Sequence, residues 1–376
     1  MNNAETYAAK RYVQPASPLE WAEKACEALM LKYEPEQLPP DRFHYHQGVF
    51  LSGMEKCWRE NGNSRYLDYI KRWADSQVLA DGSIRKHEAD ELDDIQPGIL
   101  LYNLYEQTGD ERYRKALYHL VPKLKTWPSN PSGGFWHNGR SRDQMWLDGL
   151  YMAGPIAVQF GQTFGEDVYF DMMAKQAILM DDHIKDPVTG LMYHGWDESK
   201  SAEWADPVTG LAPEFWGRAI GWYPVAILEM LDHLPKDHKD RDRLIRIVRE
   251  LLAALTKYQH PETGLWYQVV DKAEQPGNWP ENSCTSLYVQ AIAKAMRLGY
   301  LDASCMDNAW KGYYGVLDTL RFDESGHVVI GHICIGTGIG DYSHYIHRPT
   351  SENDLHGAGA FVLMCVEMSK ASVSAS

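Results

Sequence analysis

Stretches that are apolar on every side alternate with stretches that are apolar on one side only, and the alternation runs through the chain. The fully apolar set predicts helices at about 46–60, 93–108, 146–162, 217–234, 283–298 and 352–369. The one-sided set predicts helices at about 18–33, 63–77, 110–125, 166–184, 238–258 and 303–320. A helix apolar all round must be buried, whereas an amphipathic one can keep a face in water. The period of roughly 50–70 residues lies near that of repeat architectures. Twelve helices alternating in this way satisfy both demands as two concentric rings. The expected fold is therefore all-α, an (α/α)6 barrel or six-hairpin toroid with the apolar set inside. An open superhelix of hairpins competes with it, but terminal repeats would then need polar caps. The last apolar stretch, Gly357 to Met368, offers none.

Two recurring devices punctuate the alternation. Gly62-Asn63, Gly109-Asp110 and Gly165-Glu166 are each followed at the same spacing by a tyrosine, Tyr66, Tyr113 and Tyr169. Each marks the passage from an apolar helix to an amphipathic one. Asn130-Pro131 to Trp136, Asp186-Pro187 to Tyr193 and His260-Pro261 to Tyr267 form the second device, and Asp206 to Leu211 copies it without the aromatic. Pro and Gly at these offsets make turns, and the aromatic endings suggest short strands. The repeat overrides the two or three domains that length alone suggests. A single domain spanning 1–376 is expected, with tails at 1–16 and 371–376.

In such a barrel the N-terminal ends of the inner helices converge at one mouth. Read in order, that mouth collects Tyr45 and His46, Asp93 and Asp94, Trp146 and Asp148, Trp216, Arg218 and Trp222, and Asn353, Asp354 and His356, with His137 and His194 from the turns. Capping explains the Asp and Asn, but not the repeated Trp and His. The chain has 13 Trp and 22 Tyr, more flat amphipathic surface than packing needs. Sugar rings rest on such faces. A net charge of −15 argues against nucleic acid, an anionic membrane or a long polyanion as partner. A small ligand with one carboxylate remains compatible if an Arg receives it. Six scattered Cys without metal-ligand spacing fit buried thiols in a reducing cytosol. Residues 1–14 show no signal-peptide pattern and no stretch is long enough to span a membrane, so a cytoplasmic protein is expected.

Asp148 anchors the chemical reading. It stands at the start of an apolar run beside Trp146, and a charge there is costly unless paired or neutralised. A helix cap is the plain alternative. Asp93 supplies a second carboxylate at the corresponding place in an earlier helix. Arg218, between Trp216 and Trp222, is the natural receiver of a substrate carboxylate, because a guanidinium binds one bidentately. His194 and His137 are the next candidates for holding substrate. Gly336-Thr337-Gly338-Ile339-Gly340 lacks the closing Lys-Ser/Thr of a phosphate loop and no helix pattern follows, so it is expected to rim the mouth. No metal site is expected, since no pair of His shares a helix face with a carboxylate.

Taken together, Met145-Trp146-Leu147-Asp148-Gly149, Glu91-Leu92-Asp93-Asp94, Tyr193-His194-Gly195-Trp196-Asp197, Trp216-Gly217-Arg218 with Gly221-Trp222, and Gly336 to Tyr342 resemble glycoside hydrolase family 105. The likeness runs from Phe43 to Met368 and points to the unsaturated rhamnogalacturonyl hydrolases. It implies an (α/α)6 barrel without cofactor or metal, acting as a monomer on small unsaturated oligosaccharides and without nucleic-acid or membrane partners. It also implies hydration of the 4,5 double bond that pectin lyases leave on a galacturonyl residue. Asp148 would protonate C4 and Asp93 would hold substrate, tune Asp148 or activate water. Tyr45, His46, His137, Trp146, His194, Trp216, Arg218 and Trp222 would line the substrate site. Burial against Trp146 and Trp216, with the like charge of Asp93, is expected to raise the pKa of Asp148 against the opposing helix dipole. The related unsaturated glucuronyl hydrolases and a non-catalytic sugar-binding toroid are the alternatives.

Overall fold

The computed structural model describes residues 16–87 and 90–373. Its longer helices are α1 (Pro18–Lys32), α2 (Tyr45–Asn61), α3 (Ser64–Gln77), α4 (Leu100–Thr108), α5 (Glu111–Leu120), α6 (Asp148–Phe164) and α7 (Val168–Ile184). They continue with α8 (Gly217–His233), α9 (Arg241–Leu255), α10 (Asn282–Arg297), α11 (Met306–Asp318), the short α12 (Tyr342–Ile346) and α13 (Leu355–Val373). Helix α2 packs on the 3-10 turn Gln96–Ile99 that leads into α4, and that turn packs on α6. The ring continues from α6 to α8, α10 and α13, and α13 returns to α2. The outer helices α1, α3, α5, α7, α9 and α11 each lie against this ring. The protein is thus an (α/α)6 toroid, as the alternation of apolar and amphipathic stretches requires.

The punctuation works as its residue types demand. Gly62, Gly109 and Gly165 end inner helices at φ values of 71, 66 and 72°, where a side chain would be strained. Asn63 and Asp110 then cap the next helix by accepting from the backbone N–H two residues on. Tyr66, Tyr113 and Tyr169 are fully buried one turn later and tie each outer helix to the ring. In the second device the Asp186 carboxylate accepts from the Thr189 backbone and hydroxyl, and Asp206 repeats this with Thr209. Among the described residues the β-structure consists of short antiparallel pairs, including β1 (Gln144–Trp146) with β2 (Gly195–Asp197), both at the mouth.

Four expectations are corrected. The second apolar stretch is not one helix from 93. Pro97 has no N–H to donate, so 3-10 turns at Leu92–Asp94 and Gln96–Ile99 precede α4. Pro122 likewise stops α5 at Leu120 and leaves a 3-10 segment, Val121–Thr126. A helix does follow the glycine-rich loop, since Asp341 caps α12 by accepting from the His344 N–H. The last helix runs to Val373, so residues 371–373 are helical, whereas 1–15 and 374–376 lie outside the described residues. No helix among the described residues is long and apolar enough to cross a membrane.

Candidate active site

Asp148 is the first residue of α6 rather than the residue capping it. The β1–β2 pair ends beside it, and the Leu147 N–H donates to the His194 carbonyl, which fixes the His194 backbone against the helix start. The His194 Nε2 then stands 3.1 Å from Asp148 Oδ2, and its Nδ1 stands 2.7 Å from the Tyr345 hydroxyl. The Gly340 N–H already donates to that hydroxyl oxygen, so the hydroxyl proton is directed to Nδ1. His194 is completely buried, which lowers its pKa and leaves the ring neutral. The relay reads Tyr345 O–H to Nδ1, then Nε2–H to the Asp148 carboxylate. Burial pushes the Asp148 carboxyl up, but the His194 imidazole, with His137, outweighs it and holds it below the ordinary value.

Asp93 sits in the 3-10 turn before α4 and is treated differently. Its carboxylate oxygens lie 3.4 Å from His137 Nε2 and 3.7 Å from His44 Nε2. The nearby cations go elsewhere: Arg42 to Asp94 and Glu91, and Arg140 to Glu91. Burial, with the charges of Asp148 and Glu91, pushes Asp93 up to about 8. Burial likewise moves Asp94 to about 7, against the pull of Arg42. The expected assignment is therefore corrected: at neutral pH the proton of the pair rests on Asp93, and Asp148 is ionised. The physical reason is the His194 N–H, which favours the charged form of its acceptor. Asp93 Oδ1, His44 Nδ1 and His137 Nδ1 are buried without a hydrogen-bond partner.

Around this pair, Trp146 is half-buried and stacks flat on His137, with centroids 4.5 Å apart and planes at 6°. Tyr45 bonds His46 through its hydroxyl at 3.0 Å, and His46 stacks on His356. The Gly336–Gly340 loop passes close to Tyr45, His46 and Trp146, as a rim segment should.

Three candidates turn out to stand behind the site. Trp216 is almost fully buried and stacks on Tyr345, backing His194, with no face left for a sugar. Trp222 is equally buried and packs on Tyr151 deeper in the barrel. Arg218 does not present a free fork. Its Nη1 donates to the Cys334 carbonyl at 2.7 Å and its Nη2 to the Ile335 carbonyl at 2.9 Å, with the guanidinium over the Trp216 ring. Opposite it, the buried Glu281 accepts from Ser283 and from the backbone N–H groups of Cys284 and Cys334. Arg218 and Glu281 together hold the segment that carries the glycine-rich loop. The residue that sequence reasoning missed is Tyr345, whose one signal was its place in the aromatic run after that loop.

An α/α toroid with paired carboxylates and half-buried aromatics at one mouth has the features of a carbohydrate-active barrel. The chain belongs to glycosyl hydrolase family 88, whose model matches residues 21–372. It is similar to a family 105 glycoside hydrolase from C. acetobutylicum ATCC 824, with 34% identity, a TM-score of 0.89, and 92% and 98% of the two chains covered. A curated relative, the unsaturated rhamnogalacturonyl hydrolase YesR of Bacillus subtilis, is 26% identical over 67% of this chain and 70% of its own. The unsaturated glucuronyl hydrolase of Bacillus sp. GL1 shares the fold at a TM-score of 0.70 and 14% identity, covering 94% and 96% of the chains.

Proposed function

We propose that the protein is an unsaturated rhamnogalacturonyl hydrolase. It takes the disaccharides and short oligosaccharides that pectin lyases leave with a 4,5-unsaturated galacturonyl residue at the non-reducing end. The observation that carries this reading is the pair of half-buried carboxyls with unlike partners: Asp148 lies 3.1 Å from His194 Nε2, whereas Asp93 has only His137 and His44 nearby, with no Lys or Arg bridging it among the described residues. An enol ether needs such a pair, because a proton must reach C4 while water adds its oxygen at C5. The water's remaining proton returns to the pair. The hemiketal so formed at C5 opens, and the rearranged product releases rhamnose and a keto sugar acid.

Asp148 delivers the proton to C4, and Asp93 stores it in the free enzyme. A bound uronate brings a further negative charge to the mouth, which raises the pKa of both carboxyls and moves Asp148 towards its acid form. His194 orients Asp148, and Tyr45, His137 and Trp146 contact the sugar. The enzyme works in the cytoplasm as a single domain, with no metal in the chemical step. The likeness to YesR and to the family 105 enzyme supports the rhamnogalacturonyl substrate. The test is loss of the ultraviolet absorbance of the conjugated double bond, with unsaturated rhamnogalacturonan and chondroitin disaccharides compared side by side. In heavy water, deuterium should appear at C4 of the released sugar acid. Preference for the chondroitin substrate, or product without label at C4, would overturn the reading.

A further inference from the structure

His46 lies in the first turn of α2, the first inner helix, and His356 in the first turn of α13, the last. Asp354 stands just before α13. These residues meet where α2 and α13 close the ring, and each offers a ligand atom within 4.8 Å of the others. The mechanism proposed above uses neither Asp354 nor His356.

His356 is completely buried, and its Nε2 lies 3.1 Å from the Cys334 carbonyl. A carbonyl oxygen only accepts, so Nε2 carries a hydrogen, and Nδ1 is the ring atom that faces Asp354. That Nδ1 has no hydrogen-bond partner, although Asp354 Oδ1 is only 2.8 Å away. The two atoms are close, but their approach lacks the alignment of a hydrogen bond. No Lys or Arg pairs with Asp354 among the described residues. Metal-binding histidines usually give one N–H to a backbone carbonyl or carboxylate and keep the other nitrogen for the ion, and His356 is held by the Cys334 carbonyl in that way. The Tyr45 hydroxyl, 3.0 Å from His46 Nε2, orients the second ring. A cavity of about 270 Å³, lined by His46, Asp354, Tyr33, Pro39, Pro40 and Leu355 among others, leads to the cluster.

We infer that His46, Asp354 and His356 bind one divalent transition-metal ion of the zinc class, which clips the first inner helix to the last at the seam of the ring. Two imidazoles and one carboxylate, with a position left for water, suit zinc; magnesium and calcium prefer all-oxygen sites. A neighbouring group, His44, Glu91 and Asp93, is a weaker candidate because Arg42 and Arg140 already occupy Glu91. The seam joins parts of the chain that are remote in sequence, and a link across a long loop removes the most freedom from the unfolded chain. An ion that binds only the folded state also stabilises it by mass action.

The test uses the full chain, free of any affinity tag, stripped with a chelator and dialysed against zinc chloride. One zinc per chain should be retained by elemental analysis, and the Tm should rise on zinc addition. Cobalt(II) in place of zinc should give the visible absorption of a nitrogen- and oxygen-bound ion. Asp354→Asn and His356→Ala should each weaken zinc binding by on the order of 100-fold and abolish the Tm rise. If His356→Ala fails to fold, Asp354→Asn and the wild-type titration still test the site. Failure of the wild type to retain zinc stoichiometrically would overturn the proposal. Retention undiminished in the substituted chains would place the ion elsewhere and overturn it equally. Neither readout depends on which sugar is hydrolysed.

Discussion

The two mouths of the barrel both bury carboxylates, and they do opposite things with them. At the C-terminal ends of the inner helices lies a cavity of about 450 Å³ lined by Lys56, Glu229, Asp232, Lys294, Arg297 and Glu367, among others. There the cations are distributed among the carboxylates: Lys294 bonds Glu229 and Asp232 at 2.9 and 2.6 Å, Lys56 bonds Glu229 at 2.6 Å, and Arg297 bonds Glu367 at 2.6 Å. Burial pushes Glu229 up, but Lys294 and Lys56 overcome it and hold the carboxyl far below its ordinary value. At the N-terminal mouth Asp93 is just as enclosed, yet its neighbours are a second aspartate and neutral imidazoles, and it rises to about 8. Burial alone therefore does not mark a working carboxyl. Partners reverse the shift only where they outweigh burial: two lysines do so at Glu229, whereas one arginine does not at Asp94 or at Glu55.

Asp148→Asn should show the contrast most strongly. A positioned general acid contributes ~10²–10⁴-fold, so turnover should fall at least that far while KM and Tm stay near the wild-type values. Near-normal turnover would reduce Asp148 to a structural role at the helix start and erase the distinction between the mouths.

Lys294→Met is the counterpart at the other mouth. Removing one partner of a buried ion pair costs about 3–5 kcal/mol, so the Tm should drop by several degrees. Activity per folded molecule should be unchanged. A loss of turnover without a loss of stability would mean that the two mouths are coupled.

The pH dependence of stability should separate them further. Asp93 has a folded-state pKa near 8, against about 3.9 for an unperturbed aspartate. Between those values the folded chain binds the extra proton, so this group lowers stability as pH rises from about 4 to about 8. Glu229 is shifted the other way. Its contribution is present above its unfolded value, about 4.3, and is lost as pH falls. Asp93→Asn should therefore raise the Tm relative to wild type, by a margin that widens from pH 4 to pH 8. A constant margin would show that Asp93 is not the proton holder. Tyr345→Phe should have the smallest effect. Losing one hydrogen bond of about 1 kcal/mol should lower kcat roughly fivefold through a less well fixed His194, with KM little changed.

Much of the fold was legible because it rests on short-range regularities. Apolar periodicity separates inner from outer helices, and Gly-cap-Tyr marks each passage between them, so the ring can be counted before it is seen. The proline breaks at Pro97 and Pro122 are local as well, and were passed over only because the apolar pattern continues across them. The site was legible in part. Asp148, Asp93, His137, Trp146 and His194 do converge. Trp216, Trp222 and Arg218 share their composition but stand behind them, since sequence reports residue type and not which way a side chain faces.

The amino-acid sequence by itself determined the alternation of wet and dry helices, the turns between them and the gathering of Asp, His and Trp at one set of helix starts. All of these follow from neighbours a few residues apart. Only the tertiary structure decided which aspartate keeps the proton, that Arg218 binds loop carbonyls, and that His46 meets His356 across the seam. Those outcomes depend on atoms brought within about 3–4 Å from distant parts of the chain, where electrostatic and hydrogen-bond energies change steeply with distance and orientation.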